Sequence, residues 1–169
     1  MRTLVTVLVL MLTAGAAAAQ QPAAGTPDQV IKTYASSSDV TALIAKAKSE
    51  RKDDQPMVSE PILLLAPYRA SLEYRPGVAP AALHEREAEL MYVIDGSATM
   101  VVGGKLVNEK RNNAENLAGT GIEGGTPREV AKGDFIIVPE NTAHWFSEIH
   151  GTLILMTFHV PLTVNSPQH

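Results

Sequence analysis

The sequence predicts an all-β fold, a sandwich or small barrel, preceded by a short helical segment. Three observations predict it. Short apolar runs recur at 62–65, 90–94, 135–138 and 152–160, with turn residues between them. Ala70, Leu72 and Tyr74 alternate with Ser71, Glu73 and Arg75, the period of a half-buried strand. Asp95-Gly96 then separates the run ending at Ile94 from the run 97–102. That dipeptide is a strong hairpin signal, because both residues tolerate positive φ.

Composition bounds the function classes. The chain has 169 residues, 45% hydrophobic and 19% charged, which fits a globular protein. It carries 14 basic against 18 acidic residues and has no basic block, so no nucleic-acid partner is expected. It contains no cysteine. Disulfide frameworks, thiolate nucleophiles and iron–sulfur clusters are thereby excluded, and any metal must use nitrogen and oxygen ligands.

Taken in order, the first element is an address. Arg2 supplies one positive charge, residues 4–12 are almost purely apolar, and Ala17-Ala18-Ala19 gives the small-x-small pattern of a cleavage site. Residues 1–19 therefore read as a secretory signal, cleaved after Ala19. The mature protein is expected to be secreted or periplasmic, with no stable membrane span. An uncleaved anchor is the alternative.

Residues 20–58 read as a leader followed by helices. Thr26-Pro27-Asp28-Gln29 has the capping residues of a helix start, running to about Tyr34. Ser36 to Asp39 restarts the pattern, and Val40, Leu43, Ile44 and Ala47 then fall on one helical face. That stripe predicts packing on the body rather than chemistry.

Residues 59–163 form the strand-rich body, interrupted at 103–128 by a polar insertion. Six of the 12 glycines lie between 103 and 125. The segment lacks the Gly-Lys-Ser/Thr ending of a phosphate-binding loop. It reads as a mobile lid or a long hairpin. As a lid, it would bring Lys105, Lys110 and Arg111 to an anionic substrate; otherwise they are solvated charges.

The histidines carry the candidate chemistry. His84 stands five residues before Glu89, which opens a strand and shares a face with Met91 and Val93. A carboxylate aimed into an apolar interior is costly unless paired, protonated or metal-bound. His144 follows the run Gly133 … Pro139-Glu140-Asn141 beside another strand. Two imidazoles and one carboxylate converging from different strands would make a three-point metal site. Spacing alone equally allows hydrogen-bonded structural histidines.

Together these segments resemble the paired motifs of the cupin superfamily. His84, four residues, Glu89, six residues and Gly96 match the second half of its first motif. Gly133, five residues, Pro139-Glu140-Asn141, two residues and His144 match its second motif. Asn141 replaces a glycine, a mild change because asparagine also takes positive φ. Ala82 stands where the family's first histidine would be and cannot bind metal.

The resemblance implies a jelly-roll-like double-stranded β-helix barrel, often a homodimer. It implies a divalent metal (Mn, Fe, Ni or Zn) held by His84, Glu89 and His144. Tyr74, Met91, Val93 and Phe146 would line the pocket. His159, on the last strand, is a candidate fourth ligand, unless Phe158 faces the interior and turns it away. Trp145 is expected to point opposite to His144. Three classes remain open: a metal-dependent enzyme acting on a small molecule, with an oxygenase as first guess; a non-catalytic small-molecule binder whose metal is structural or absent; and a structural or protein-binding barrel.

Overall fold

The computed structural model of the chain describes residues 31–162. The expected signal over 1–19, its cleavage point, the leader and His169 lie outside the described residues. Of the expected first helix only 31–34 is described, and it is not helical. Lys32 exchanges backbone hydrogen bonds with Leu64, 2.8 Å in each direction.

Helix α1 (Ser37–Glu50) starts where the capping residues predict. The Ser36 side chain accepts from the Asp39 N–H at 3.2 Å, and the Asp39 carboxylate accepts from the Ser36 N–H at 2.7 Å. Each satisfies a backbone donor that the first turn leaves free. Ala47 is fully buried, and Val40, Leu43 and Ile44 pack with it against Ile62, Ala70, Leu72 and Ile154. Each fully buried side chain of Leu72's size contributes about 1.5–3 kcal/mol. Lys46 Nζ donates to both Glu60 oxygens, at 2.6 and 2.7 Å, and fastens the helix to the sheet beneath.

That sheet has five antiparallel strands: β1 (Val58–Leu65), β2 (Tyr68–Arg75), β13 (Leu153–Pro161), β4 (Glu87–Asp95) and β11 (Phe135–Val138), neighbours in that order. The facing sheet has six: β10 (Thr126–Ala131), β5 (Ser97–Val102), β12 (His144–Ile149), β3 (Ala81–His84), β8 (Asn116–Gly119) and β7 (Lys110–Arg111). A small ribbon joins β6 (Lys105–Val107) to β9 (Gly121–Glu123).

One expectation is corrected. Asp95-Gly96 makes no hairpin. It carries the chain from the first sheet into the second, where β5 pairs with β10 and β12. Only Gly96 of the two takes positive φ, at 87°. A Cβ there would lie 1.9 Å from the carbonyl oxygen of Thr152, so the start of β13 packs directly on this corner. The segment 103–128 is the long hairpin that the sequence allowed, since β5 pairs with β10, β6 with β9 and β7 with β8, all antiparallel about a tip at 112–115. It contains β6 to β9 and the start of β10. These strands are mostly two to four residues long, too short for alternation to show, and positive-φ residues Gly103, Gly104, Asn108 and Gly124 interrupt them.

The predicted alternation of β2 holds, with a consequence for the interior. Its apolar face, Ala70, Leu72 and Tyr74, lies under α1. Its polar face puts Arg69, Glu73 and Arg75 on the wall of a cavity between the sheets. The interior is thus divided. Met91, Val93, Met100, Phe146, Leu153 and Leu155 form a dry apolar plug. Beside it lies a polar cavity of about 590 Å³.

Candidate metal centre

Glu89 is the hub of that cavity. It is 4% exposed and projects from β4 on the same face as Met91 and Val93. Across the interior, His144 Nε2 lies 2.9 Å from Glu89 Oε2 and His84 Nε2 lies 3.3 Å from the same oxygen. Beside it on the same sheet, His159 of β13 is paired directly with Glu89, and its Nε2 lies 3.7 Å from Oε1. One potential ligand atom from each of His84, Glu89 and His159 lies within 4.8 Å of the other two. His144 approaches the same carboxylate, with its ring centre 5.3 Å from that of His84.

The far sides of two rings fix their protons. Asn116 Nδ2 donates to Asn113 Oδ1 at 2.9 Å, which turns Asn116 Oδ1 toward His84. His84 Nδ1 therefore donates to that oxygen, over 2.5 Å. His144 Nδ1 donates to the Thr142 carbonyl at 3.2 Å. With Nδ1 engaged on the far side, each ring turns Nε2 to the carboxylate, as an N–H donor when the ring is protonated and as a lone pair once that proton is gone. His159 Nδ1 lies 3.0 Å from Glu87 Oε2 without hydrogen-bond geometry. It and Thr157 Oγ1 are buried polar atoms left unpartnered on the inner face of β13.

Electrostatics follow from this crowding. Burial favours the neutral form of Glu89, but hydrogen bonds from His144 and His84 outweigh burial and hold its carboxyl well below the usual carboxylate range. Burial disfavours the His84 imidazolium, yet the contacts with Glu89 and Asn116 bring its pKa above the ordinary 6.5. Burial pushes the His159 pKa down, with Arg69 and His84 adding to the effect.

Protons on the rings balance the buried carboxylate; when they leave, the imidazole lone pairs and Glu89 face one another with nothing between them. A divalent cation then balances them, and nitrogen–oxygen donors of this kind suit Mn, Fe, Ni or Zn. The donor set therefore fits a metal.

The structure places the expected residues as follows. His84, Glu89 and His144 converge. His159 joins them, because Phe158 faces outward, stacks on Tyr68 with centroids 6.4 Å apart and packs in the cluster beneath α1. Met91, Val93 and Phe146 do not line the cavity; they share the inner face but lie deeper, in the plug. Tyr74 does not line it either, because it sits on the opposite face of β2. Trp145 points away from His144 as expected, and its Nε1 donates to the Ala79 carbonyl at 2.9 Å. Sequence reasoning missed Asn116, Glu73 and Arg75. The polar half of β2's alternation was the available signal for the last two.

A family model described as Cupin matches residues 62–167. No curated protein matches the sequence. Solved structures of similar shape include the cupin domain of Schizosaccharomyces pombe Cnp3, 13% identical, covering 69% of this chain and 73% of that one, TM-score 0.49. A cupin superfamily protein from Desulfitobacterium hafniense DCB-2 is 11% identical over 67% of this chain and 84% of its own, TM-score 0.47. The iron(II) form of HppE is 15% identical over 65% and 54%, TM-score 0.49.

Proposed function

This chain belongs to the cupin family, and on that premise we propose that it is an exported metal-binding protein and a metal-dependent enzyme acting on a small molecule. The observation that carries the reading is the Glu89 carboxylate, met by the Nε2 atoms of His84 and His144 while His159 closes the third side. His84, Glu89 and His159 supply a compact ligand set, and His144 is a further ligand from the opposite sheet.

A metal held there supplies Lewis acidity or a centre for oxygen chemistry. The residues do the rest. Asn116 and the Thr142 carbonyl orient the two imidazoles. The apolar plug closes one side against water, and Ala82 leaves space beside His84 and His144. That space keeps positions open for a substrate and favours a dioxygenase-like reaction as the first class to assay. Export is supported by residues 1–19 and by the absence of cysteine. Among the described residues no helix is long and apolar enough to cross a membrane.

A second reading has its own support. The 2.9 Å separation of His144 and Glu89 is also a hydrogen-bond distance for a protonated ring. A non-catalytic barrel that binds a small molecule with no metal satisfies that contact.

Elemental mass spectrometry on the purified native protein and on Glu89→Ala separates the two. About one equivalent of transition metal in the native protein, lost in a folded variant, is the expected result. No metal in either, and no uptake of Mn, Fe, Ni or Zn, would leave the metal-free binder.

A further inference from the structure

The register of the second sheet lines up four side chains. His144 on β12 is paired directly with Ala82 on β3, Ala82 with Ala118 on β8, and Ala118 with Lys110 on β7. Residues paired in this way point to the same face of a sheet. All four line the 590 Å³ cavity. Three strand spacings separate the ends, roughly 14 Å between Cα atoms. The two middle positions carry only methyl groups. The row is therefore a shallow shelf, with an imidazole of the metal cluster at one end and an ammonium at the other.

Charge points the same way. The cavity wall carries three cations, Arg69, Arg75 and Lys110, against two carboxylates, Glu73 and Glu89. A bound divalent metal raises that excess. The chain as a whole is acidic, with net charge -4, so the positive charge available to an incoming anion is a local one, Lys110 together with any bound metal. Arg69 is paired with Glu87 and Arg75 with Glu73. Of the other two basic residues of the 103–128 segment considered for an anion, Arg111 grips Glu85 through two contacts of 2.8 Å, and neither it nor Lys105 lines the cavity. Among the described residues Lys110 has no carboxylate partner.

We propose that the His144–Ala82–Ala118–Lys110 row is the binding shelf for a small organic anion. Its carboxylate or phosphate is held by Lys110 while its other end reaches the histidine–glutamate cluster. This names the substrate class for the site proposed above and rests on that reading. Ala82 and Ala118 set the length of the ligand: larger side chains at either position would occupy the shelf.

Calorimetric titration of the metal-loaded and metal-free full-length protein tests it, with succinate, glycerol 3-phosphate and neutral succinamide as probes. One of the two anions is expected to bind and the diamide to fail. Lys110→Met should weaken anion binding about tenfold, as loss of a charge-assisted hydrogen bond does. Lys110→Arg should keep it, and metal content should not change in either. Ala118→Leu, verified as folded by its unfolding transition, should lose the anion and keep the metal. Equal anion affinity in Lys110→Met, normal binding by Ala118→Leu, or failure of both anions would overturn the proposal. If the native protein takes up no metal, the metal reading fails, and the metal-free titration still decides the shelf through its dependence on Lys110.

Discussion

The backbone N–H of Asn141 donates to the carbonyl of His84 over 2.7 Å. The turn that leads into His144 is thereby fixed to the strand that carries His84. Asn141 holds φ at 54°, the left-handed region where a β-branched residue is strained.

Asn141→Gly is expected to keep both stability and metal uptake. Asn141→Val should lower stability by about 1–3 kcal/mol and weaken metal binding, because the strain falls on the joint between two ligand-bearing segments. Thermal unfolding and zinc titration of both variants check this. Equal behaviour of the two would mean the turn does not position the site.

Ala82→His is expected to tighten metal binding about tenfold, measured by competition with a chelator. Residue 82 lies directly across from His144 and two residues before His84, on the same face. A new imidazole there joins the existing cluster. Unchanged affinity in a folded variant would place the metal elsewhere.

Proton competition should be visible near neutrality. His84 has a pKa above 6.5 in the metal-free protein, so metal affinity should begin to fall above pH 6.5 as the pH is lowered. Asn116→Ala removes one contact that raises this pKa and should move the onset downward; the freed ring should also weaken affinity about tenfold. Stability of the metal-free protein runs in two senses. The His84 contribution is present below 6.5 and is lost as pH rises through its raised folded value. The Glu89 contribution is present above 4.5 and is lost as pH falls toward its lowered folded value. Zinc titrations across pH on native and Asn116→Ala protein test the order of events. An onset that stays in place would detach Asn116 from His84.

Much of the fold was legible. Alternation in β2 and the apolar runs of β4, β11 and β13 survive in the structure, because each buries at least part of one face. Helix α1 was legible from its cap and its stripe. What failed was pairing. Asp95-Gly96 reads locally as a hairpin, and only the packing of Thr152 against Gly96 makes it a corner between sheets. That contact joins residues more than fifty positions apart, and local sequence does not carry it. The short strands between 105 and 123 were hidden for another reason: runs of two to four residues display no clear period.

The site was legible in part. Glu89, His84 and His144 announce themselves by motif spacing, and Asn141 by its tolerance of positive φ. His159 depended on which face of β13 turns inward. The run 152–160 is apolar on both faces, since one packs in the plug and the other under α1. Its sequence therefore could not choose. A different gap misassigned Met91, Val93 and Phe146: alternation gives the face of a strand, which they share with the ligands, but not the depth.

The plug has a further meaning for traffic. Among the described residues, Met91, Val93, Met100, Phe146, Leu153 and Leu155 pack together and close the space between the sheets beyond the cavity. The cavity that holds Glu89 lies on one side of that plug, where Asn108, Lys110 and Thr120 are among its lining residues. If the proposed alanine shelf is the route to Glu89, a departing molecule must clear it before the next one enters.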